Sequence, residues 1–491
     1  MSKLSKNVVI YFIGNTINRF MGIIVLLIAT HVLTNKEDLG HFNFISQTTN
    51  IFLTLFCFQI WMAIIRFVFD YKDKKNKFKI ISAGYFIGFL SFLFYTVLLI
   101  IYCCFKEYSI WFFLELLFLS FSYVFNQSVQ FACRGLLKNK LYVLSGIFGS
   151  FFYLLTSVIF LFLFKMTSHA LILSTAISYF SQGFFIEFFL RTIKYFKLKY
   201  IKIKIIKKMM KYSIPTTLNS IAYQFNQSAY IWLLKIFYDN AAIGIFTPPS
   251  RMTSLIGLFV MSFNFAFQEY SFLMNKSKFK EKIYNKTFNS FVRFISSGTI
   301  LLLPTTCIFF SFMIGSSYKD AKFLIPVLYL SSILDSIQIF LGSIMQAEKK
   351  VNLMFFSQLA GIFVTILVMF TTTNLIGLQS AGLAMSACFL TVSVLRFIFV
   401  KIKAGLKFNF KFLFHFVPVY ILTSLIFLKY NSLVNFLYFI LVLFYFVMCN
   451  RVLIIEFILK FAKKIKHVEN FKEKHKKTWN FSKNLKRVLY L

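Results

Sequence analysis

The sequence predicts an all-α polytopic membrane protein with about 14 transmembrane helices. Three observations lead to this class. Of the 491 residues, 58% are hydrophobic, against about 45–50% in soluble domains. Apolar runs of about 20 residues recur along the chain, and basic residues gather between alternate runs. A transmembrane β-barrel would instead show alternating segments of about 10 residues, so this class is excluded.

Each run long enough to cross the hydrocarbon core is read as one span. The predicted spans cover residues 8–33, 42–69, 80–105, 110–133, 141–164, 169–190, 212–236, 243–272, 288–314, 323–347, 352–372, 379–400, 412–428 and 433–455. The first run lacks a small-residue cleavage site and is therefore expected to be a retained span. We expect a multi-pass protein of a cell membrane.

The net charge of +38 follows the predicted topology. Basic loops such as "YKDKKNKFK" and "RTIKYFKLKYIKIKIIKKMMK" follow even-numbered spans, whereas "NKEDLGH" and "TTTNLIG" follow odd-numbered ones. Lys and Arg concentrate in cytoplasmic loops, so both termini are predicted to be cytoplasmic. This pattern explains the charge by membrane topology, and we expect no nucleic-acid partner.

Several enzyme classes are disfavoured by what the loops and motifs lack. The predicted extracytoplasmic loops do not exceed about ten residues, too few for an external catalytic domain. No G-x-x-x-x-G-K phosphate loop occurs. The seven cysteines lie in apolar segments and the six histidines are scattered, without metal-ligand spacing. We therefore predict a non-enzyme without ATPase activity, metal or resident cofactor.

The basic segment 191–211 divides the predicted spans into groups. Residues 1–190 form an N-lobe of six spans and residues 212–401 a C-lobe of six. Residues 191–211 are read as a basic cytoplasmic linker, either an amphipathic helix on the inner leaflet or a set of solvated topology signals. Two further spans fill 402–455, and a basic cytoplasmic tail covers 456–491.

The two lobes show a faint internal repeat. A shift of 204 residues places Asn15 on Asn219 and "LGHF" at 39–42 on "IGIF" at 243–246. Two lobes of equal span number can enclose a central cavity and alternate its access by rocking.

Polar side chains recur at helical spacing within several spans. They favour an aqueous cavity between the lobes, the alternative being hydrogen bonds between helices in a dry core. The candidate cavity residues of this kind are Asn15, Asn18, Gln47, Asn219 and Asn226.

Charged residues within the spans are mostly cationic. Arg19 shares a face with the span 1 asparagines and is expected about 9 Å or more inside the membrane. Arg251 follows "TPPS", whose two prolines are predicted to break the start of span 8. Guanidinium groups suit a phosphate, which accepts paired hydrogen bonds.

The other intramembrane charges have different expected roles. Asp335, near mid-membrane, is a candidate for coupling to H⁺ or Na⁺, or a partner for an arginine. Arg396 is expected to snorkel to the inner surface.

Several stretches resemble bacterial polysaccharide flippases of the O-antigen and capsule type. They include "NTINRFMGIIVLLIATHVLTNKEDLGHFNF", "IGIFTPPSRMTSLIGLFVMSFNFAF", "IGSSYKDAKFLIPVLYLSSILDSIQIFLGSIMQAEKKVN" and "IGLQSAGLAMSA". This family belongs to the exporter superfamily that also contains multidrug extruders and the lipid II flippase. The double proline of span 8 departs from the small residues usual there.

The resemblance implies translocation of an undecaprenyl-pyrophosphate-linked oligosaccharide across the bacterial inner membrane. It implies two six-helix lobes, a cationic central cavity with Arg19 and Arg251 as head-group contacts, and use of an ion gradient or the membrane potential. The lipid-linked oligosaccharide and membrane lipids are the implied partners, with the polysaccharide polymerase and glycosyltransferases as further candidates.

Two other functions are weighed. A cation-coupled small-molecule or multidrug exporter would require an acidic or apolar cavity, and intramembrane carboxylates are scarce. A membrane glycosyltransferase or ligase would require a large external loop, and none is predicted.

Overall fold

The computed structural model describes residues 3–274, 280–348, 350–405, 407 and 411–455. Within these ranges the regular secondary structure is entirely helical, without a strand, which confirms the predicted all-α class. The helices are α1 (Lys3–Val32), α2 (Lys36–Phe56), α3 (Ile60–Val68), α4 (Lys74–Phe105), α5 (Ile110–Gly135), α6 (Asn139–Val158), α7 (Ser168–Leu190), α8 (Ile203–Phe237), α9 (Asn240–Met274), α10 (Lys280–Met313), α11 (Ile325–Ala347), α12 (Val351–Ile376), α13 (Gln379–Ala404), α14 (Lys411–Lys429) and α15 (Ser432–Ile455).

Nine helices in the described part of the chain are long and apolar enough to cross a membrane. The pair α2 and α3 makes a tenth when counted as one bent span. Apolar stretches also cover Thr16–Val32 of α1 and Phe414–Lys429 of α14 but are shorter. The multi-pass architecture is therefore confirmed, and the count of 14 remains a prediction.

Predicted span 2 bends by 57° between α2 and α3. Phe58 and Gln59 at the bend have φ of 48° and 41°, in the left-handed region that non-glycine residues rarely adopt. Two consecutive residues of this kind interrupt the helical hydrogen bonds. Periodicity could not reveal the bend, since neither residue is a glycine or a proline.

The linker does not form a separate amphipathic helix. Residues 191–202 contain only two short 3₁₀ turns, Ile193–Tyr195 and Leu198–Tyr200, and α8 begins at Ile203. Apolar and basic residues alternate in this stretch and across the start of α8, so the sequence pattern does not mark where the helix begins. The linker is held to the N-lobe, where the Tyr195 ring lies 4.5 Å from that of Phe78.

The predicted break at the start of span 8 is wrong. Helix α9 runs without interruption from Asn240 to Met274, with Pro248 and Pro249 inside it. These prolines remove the helical hydrogen bonds to the carbonyls of Gly244 and Ile245. Packing against neighbouring helices makes such prolines tolerable in membrane helices.

The lobes meet at a reciprocal glycine crossing of α2 and α9. A Cβ on Gly40 would lie 1.7 Å from the Asn240 carbonyl oxygen, and one on Gly244 would lie 1.9 Å from that of Lys36. One turn further along, Asn43 Nδ2 donates to Thr247 Oγ1 over 2.9 Å. Asn43 and Thr247 are 204 positions apart, the offset found in the sequence. The same offset relates the two close approaches to each other, since it places Gly40 on Gly244 and Lys36 on Asn240. The crossing therefore has the geometry of a pseudo-two-fold axis, where equivalent segments contact each other.

Further contacts join the lobes on the predicted extracytoplasmic side. The Tyr318 hydroxyl donates to the Leu33 carbonyl over 3.0 Å. A Cβ on Gly315 would lie 1.9 Å from the Thr30 carbonyl oxygen. Lys36 Nζ lies 3.1 Å from Asp320 Oδ2. Close packing, partly between backbone atoms, thus holds the two lobes together on this side in the structure.

The chain divides into two compact units. The first comprises residues 1–286 and 306–408, and therefore contains most of both predicted lobes. The second comprises residues 287–305 and 409–491. Within the described part of this second unit, Asn450 Nδ2 donates to Ser297 Oγ over 2.8 Å, which joins α15 to the first half of α10. The second unit thus combines the two predicted C-terminal spans with part of predicted span 9.

Candidate functional site: a polar cavity between the lobes

A cavity of about 300 Å³ lies where α1 of the N-lobe faces α8, α9, α11 and α13 of the C-lobe. Its lining is rich in hydroxyls and contains one cationic and one anionic side chain. The polar lining residues are Arg19, Tyr223, Gln227, Thr253, Ser254, Ser331, Ser332, Asp335 and Ser336. Two of the predicted site residues, Arg19 and Asp335, therefore line one cavity.

Arg19 carries the positive charge of this lining. It lies 13 residues before the end of α1 at Val32, about 20 Å along the helix axis. Its Nη1 donates to the backbone carbonyl of Ser254 on α9. A Cβ on Gly257, one turn later, would lie 3.0 Å from the same nitrogen. The absent side chain at Gly257 therefore leaves room for the guanidinium, which crosses from one lobe to the other.

Arg251 lies one turn before Ser254 on α9 and is exposed. It is within electrostatic range of Arg19 and of two N-lobe tyrosines, Tyr153 and Tyr179. Among the described residues it does not belong to the lining of the cavity itself. The two arginines predicted as a pair thus share one electropositive region, with only Arg19 in the cavity wall.

Asp335 carries the negative charge of the lining. Its Oδ1 accepts hydrogen bonds from Gln227 Nε2 over 3.1 Å and from Gln338 Nε2 over 2.7 Å. The two donors belong to α8 and α11, so the carboxylate joins two C-lobe helices. These two hydrogen bonds offset part of the cost of burying the carboxylate.

Arg396 completes the C-lobe polar network and was missed by sequence reasoning. Instead of snorkelling to the surface it is 3% exposed. Its Nη1 donates to the Gln338 carbonyl over 2.8 Å, and its Nε donates to Ser357 Oγ over 3.1 Å. Asp335 lies within its electrostatic range. The buried guanidinium therefore supplies a positive charge behind the cavity wall, and no local sequence pattern distinguishes it from a snorkelling arginine.

Asn18 and Asn226 form hydrogen bonds between helices. Asn18 Oδ1 accepts from Ser150 Oγ on α6 over 3.0 Å. Asn226 Nδ2 donates to the backbone carbonyl and the side chain of Gln358 on α12. Each asparagine joins the first predicted span of its lobe to the fifth, and neither lines the cavity. These two positions follow the alternative interpretation of the polar stripes, interhelical hydrogen bonding.

The remaining predicted cavity residues are less defined. Gln47 lies on α2 and is half-buried. Asn15 lies on α1 and Asn219 on α8, but both side chains lie outside the part of the structure that is described. The polar residues that do line the cavity from α8 are Tyr223 and Gln227.

Solved structures share this fold. The lipid II flippase MurJ in an inward closed conformation matches with a TM-score of 0.68 and 17% identity, over 91% of this chain and 100% of that chain. An inward-facing multidrug resistance MATE transporter of the MOP superfamily matches with a TM-score of 0.63 and 15% identity, over 79% and 94%. A MOP-superfamily transporter from Pyrococcus furiosus, described as having a binding pocket of reverse polarity, matches with a TM-score of 0.57 and 15% identity, over 82% and 96%.

The sequence comparison identifies a family. No curated protein sequence matches the chain. The family model described as polysaccharide biosynthesis protein matches residues 4–267, more than half of the chain, including α1 and the crossing of α2 and α9. The chain therefore belongs to the polysaccharide biosynthesis protein family.

Proposed function

We propose that the protein is a flippase that moves an undecaprenyl-pyrophosphate-linked oligosaccharide from the cytoplasmic to the outer leaflet of the bacterial inner membrane. The observation that supports this most directly is the guanidinium of Arg19, placed deep in the bundle and facing a hydroxyl-lined cavity between two lobes. Family membership places the chain in polysaccharide biosynthesis.

The cavity chemistry suits a glycosyl pyrophosphate. A guanidinium binds phosphate through paired hydrogen bonds, and Arg251 adds a second positive charge nearby. Serine and threonine hydroxyls on α9 and α11, together with Gln227, offer hydrogen bonds to sugar hydroxyls. The Asp335 carboxylate in the same lining can accept hydrogen bonds from sugar hydroxyls.

The size of the cavity implies that it must enlarge during transport. At about 300 Å³, it lies at the lower end of pockets that enclose drug-sized ligands, about 300–1,000 Å³. An oligosaccharide needs more room, so we expect the lobes to separate by rocking about the α2 and α9 crossing. The polyprenyl tail stays in the surrounding lipid, where its burial costs nothing.

The driving force has two candidate sources. An anionic head group moving outward is assisted by an outside-positive potential by about 2.3 kcal/mol per charge per 100 mV. Coupling to H⁺ or Na⁺ through Asp335 is the second. Asp335→Asn distinguishes the two driving forces, because full flipping in this variant would exclude Asp335 as the coupling residue.

An ion-coupled exporter of small cationic molecules is the alternative, and Asp335 in the cavity wall is the observation in its favour. Arg19 and Arg251 oppose it, because a cationic substrate would be repelled by both.

A deletion strain tests the proposal in the cell. We expect lipid-linked intermediates to accumulate on the cytoplasmic face and surface polysaccharide to fall. The wild-type gene should restore both, and an Arg19→Gln variant expressed at the same level should not. Normal surface polysaccharide in the deletion strain would refute the proposal. Polymerase and glycosyltransferases acting on the same substrate are the proposed partners.

A further inference from the structure

A second cluster of titratable groups lies at the predicted outer end of the N-lobe, away from the cavity. His169, at the start of α7, has its Nδ1 2.6 Å from Glu115 Oε2 on α5. His41 on α2 lies beside this pair, its ring centroid 6.4 Å from that of His169. Phe112 packs edge-on against His169 over 5.8 Å. Three helices thus bring two imidazoles to one carboxylate.

Glu115 is the buried member of the cluster. It is 7% exposed, and its second oxygen, Oε1, has no hydrogen-bond partner among the described residues. A buried carboxylate needs a positive charge or hydrogen-bond donors to remain ionised. His169 supplies both from one side when it carries a proton. The unpartnered Oε1 leaves the carboxylate able to accept a second hydrogen bond.

The neighbouring charged groups influence which member of this cluster carries a proton. Asp38 on α2 lies within electrostatic range of both imidazoles and favours a proton on either. Partial burial of the His41 ring disfavours a charge there most strongly, and Lys235 on α8, within electrostatic range, adds to this effect. The two imidazoles also repel each other when both are charged. A single proton is therefore expected to reside between His169 and Glu115, with His41 neutral and bonded through Nδ1 to Ser168 Oγ over 3.1 Å.

The cluster also lies next to the crossing that joins the lobes. His41 directly follows Gly40, whose backbone contacts α9. Its bond to Ser168 ties α2 to the first residue of α7. A change of charge on these groups therefore acts on the helix that forms the inter-lobe contact.

We propose that Glu115, His169 and His41 form a one-proton binding site at the outer end of the N-lobe. The ligand is H⁺, taken from the extracytoplasmic side and held as an imidazolium–carboxylate pair. The site is distinct from Asp335, the residue considered for ion coupling from the sequence, and it does not depend on the identity of the transported substrate.

Solid-state NMR of the full-length protein, labelled with ¹⁵N-histidine and reconstituted in lipid bilayers, tests the assignment. The chain has six histidines, so single His→Gln variants assign the signals. We expect His169 to give an imidazolium signal at pH 7 in the wild type and to lose it in Glu115→Gln. Glu107→Gln, which removes an exposed carboxylate in the loop between α4 and α5, is the matched control and should leave the signal unchanged.

Two further variants keep the proposal open to refutation if Glu115→Gln does not fold. Glu115→Asp keeps the charge but withdraws the carboxylate from His169, so the imidazolium fraction should fall. His41→Gln should leave His169 protonated, because His41 is the neutral ring. A His169 ring that is neutral in the wild type at pH 7, or equally protonated in the folded Glu115→Gln or Glu115→Asp protein, would overturn the proposal. Loss of the signal in His41→Gln would overturn the assignment of the proton to the His169 pair.

Discussion

An added methyl group at the glycine crossing should force the two lobes apart on the outer side. In Gly40→Ala the new Cβ would lie 1.7 Å from the Asn240 carbonyl oxygen, and in Gly244→Ala 1.9 Å from that of Lys36, whereas ordinary contact begins at 3.4 Å. The helices must therefore separate locally by about 1.5 Å. The clashing atoms belong to the backbone, so no change of side-chain rotamer relieves them.

The energetic consequence follows from this overlap. Overpacking of a close-packed contact costs about 1–3 kcal/mol. The clash arises only in the conformation in which α2 and α9 are in contact. A cost of this size therefore lowers the population of that conformation, relative to one with the lobes apart, by about 5- to 150-fold. The pseudo-two-fold geometry adds a second expectation. Each single variant should have a similar effect, and the double variant should have less than the sum, because the first separation relieves the second clash.

Pulsed electron spin resonance can measure the separation. Spin labels at Glu107→Cys and Leu375→Cys, in a background without the seven native cysteines, report the distance from the α4–α5 loop of the N-lobe to the last turn of α12 in the C-lobe. We expect longer distances in Gly40→Ala and in Gly244→Ala. Gly22→Ala is the matched control, since a Cβ there meets nothing within 4 Å. Distance distributions that are the same in all three variants would refute the argument from the crossing.

Three other changes test the packing around the site. Arg396→Met should lower the free energy of unfolding by about 1–3 kcal/mol, because the Gln338 carbonyl and the Ser357 hydroxyl lose their buried hydrogen-bond donor. Adding Asp335→Asn should restore part of the loss in thermal denaturation, because Asp335 also loses a positive charge within electrostatic range. Asn226→Ala should cost about 1–3 kcal/mol by leaving Gln358 without its donor, while binding of substrate at Arg19 persists. Asp73 caps α4, and the hydrogen bond from the Asn76 N–H lowers the pKa of its carboxyl below the ordinary 3.8. Asp73→Ala should therefore lower Tm above pH 4, with the difference shrinking as the pH falls through the folded pKa.

The polar stripe of α1 shows how far the sequence leads toward the site. A guanidinium and carboxamides in an apolar run must avoid lipid, and Arg19 and Asn18 both do. The sequence places them on one broad face, yet adjacent helical residues point about 100° apart. In the structure Arg19 reaches α9 of the other lobe, whereas Asn18 turns to α6 of its own lobe. Only the tertiary arrangement of the neighbouring helices separates a cavity residue from a packing residue.

Other features depend on pairs that are distant in the chain. The 204-residue offset indicates that the "LGHF" and "IGIF" stretches are equivalent. Neither stretch indicates that Gly40 and Gly244 are in contact with each other. Glu115 and His169 are 54 residues apart and belong to helices whose contact the sequence does not specify. The sequence around Arg396 is that of an ordinary arginine near a helix end, and only the structure shows its contacts with Gln338 and Ser357.

Flipping by purified protein tests the central proposal most directly. The assay follows a fluorescent undecaprenyl-pyrophosphate oligosaccharide across the bilayer of proteoliposomes, with Asn18→Ala as the control for a neighbouring polar change. The loss of a charge-assisted hydrogen bond, about 1.5–3 kcal/mol, should slow flipping by roughly 10- to 150-fold in Arg19→Gln. Arg19→Lys should recover only part of the rate, since an ammonium cannot make the paired hydrogen bonds. Wild-type flipping rates in folded Arg19→Gln would contradict the proposal that this guanidinium receives the pyrophosphate.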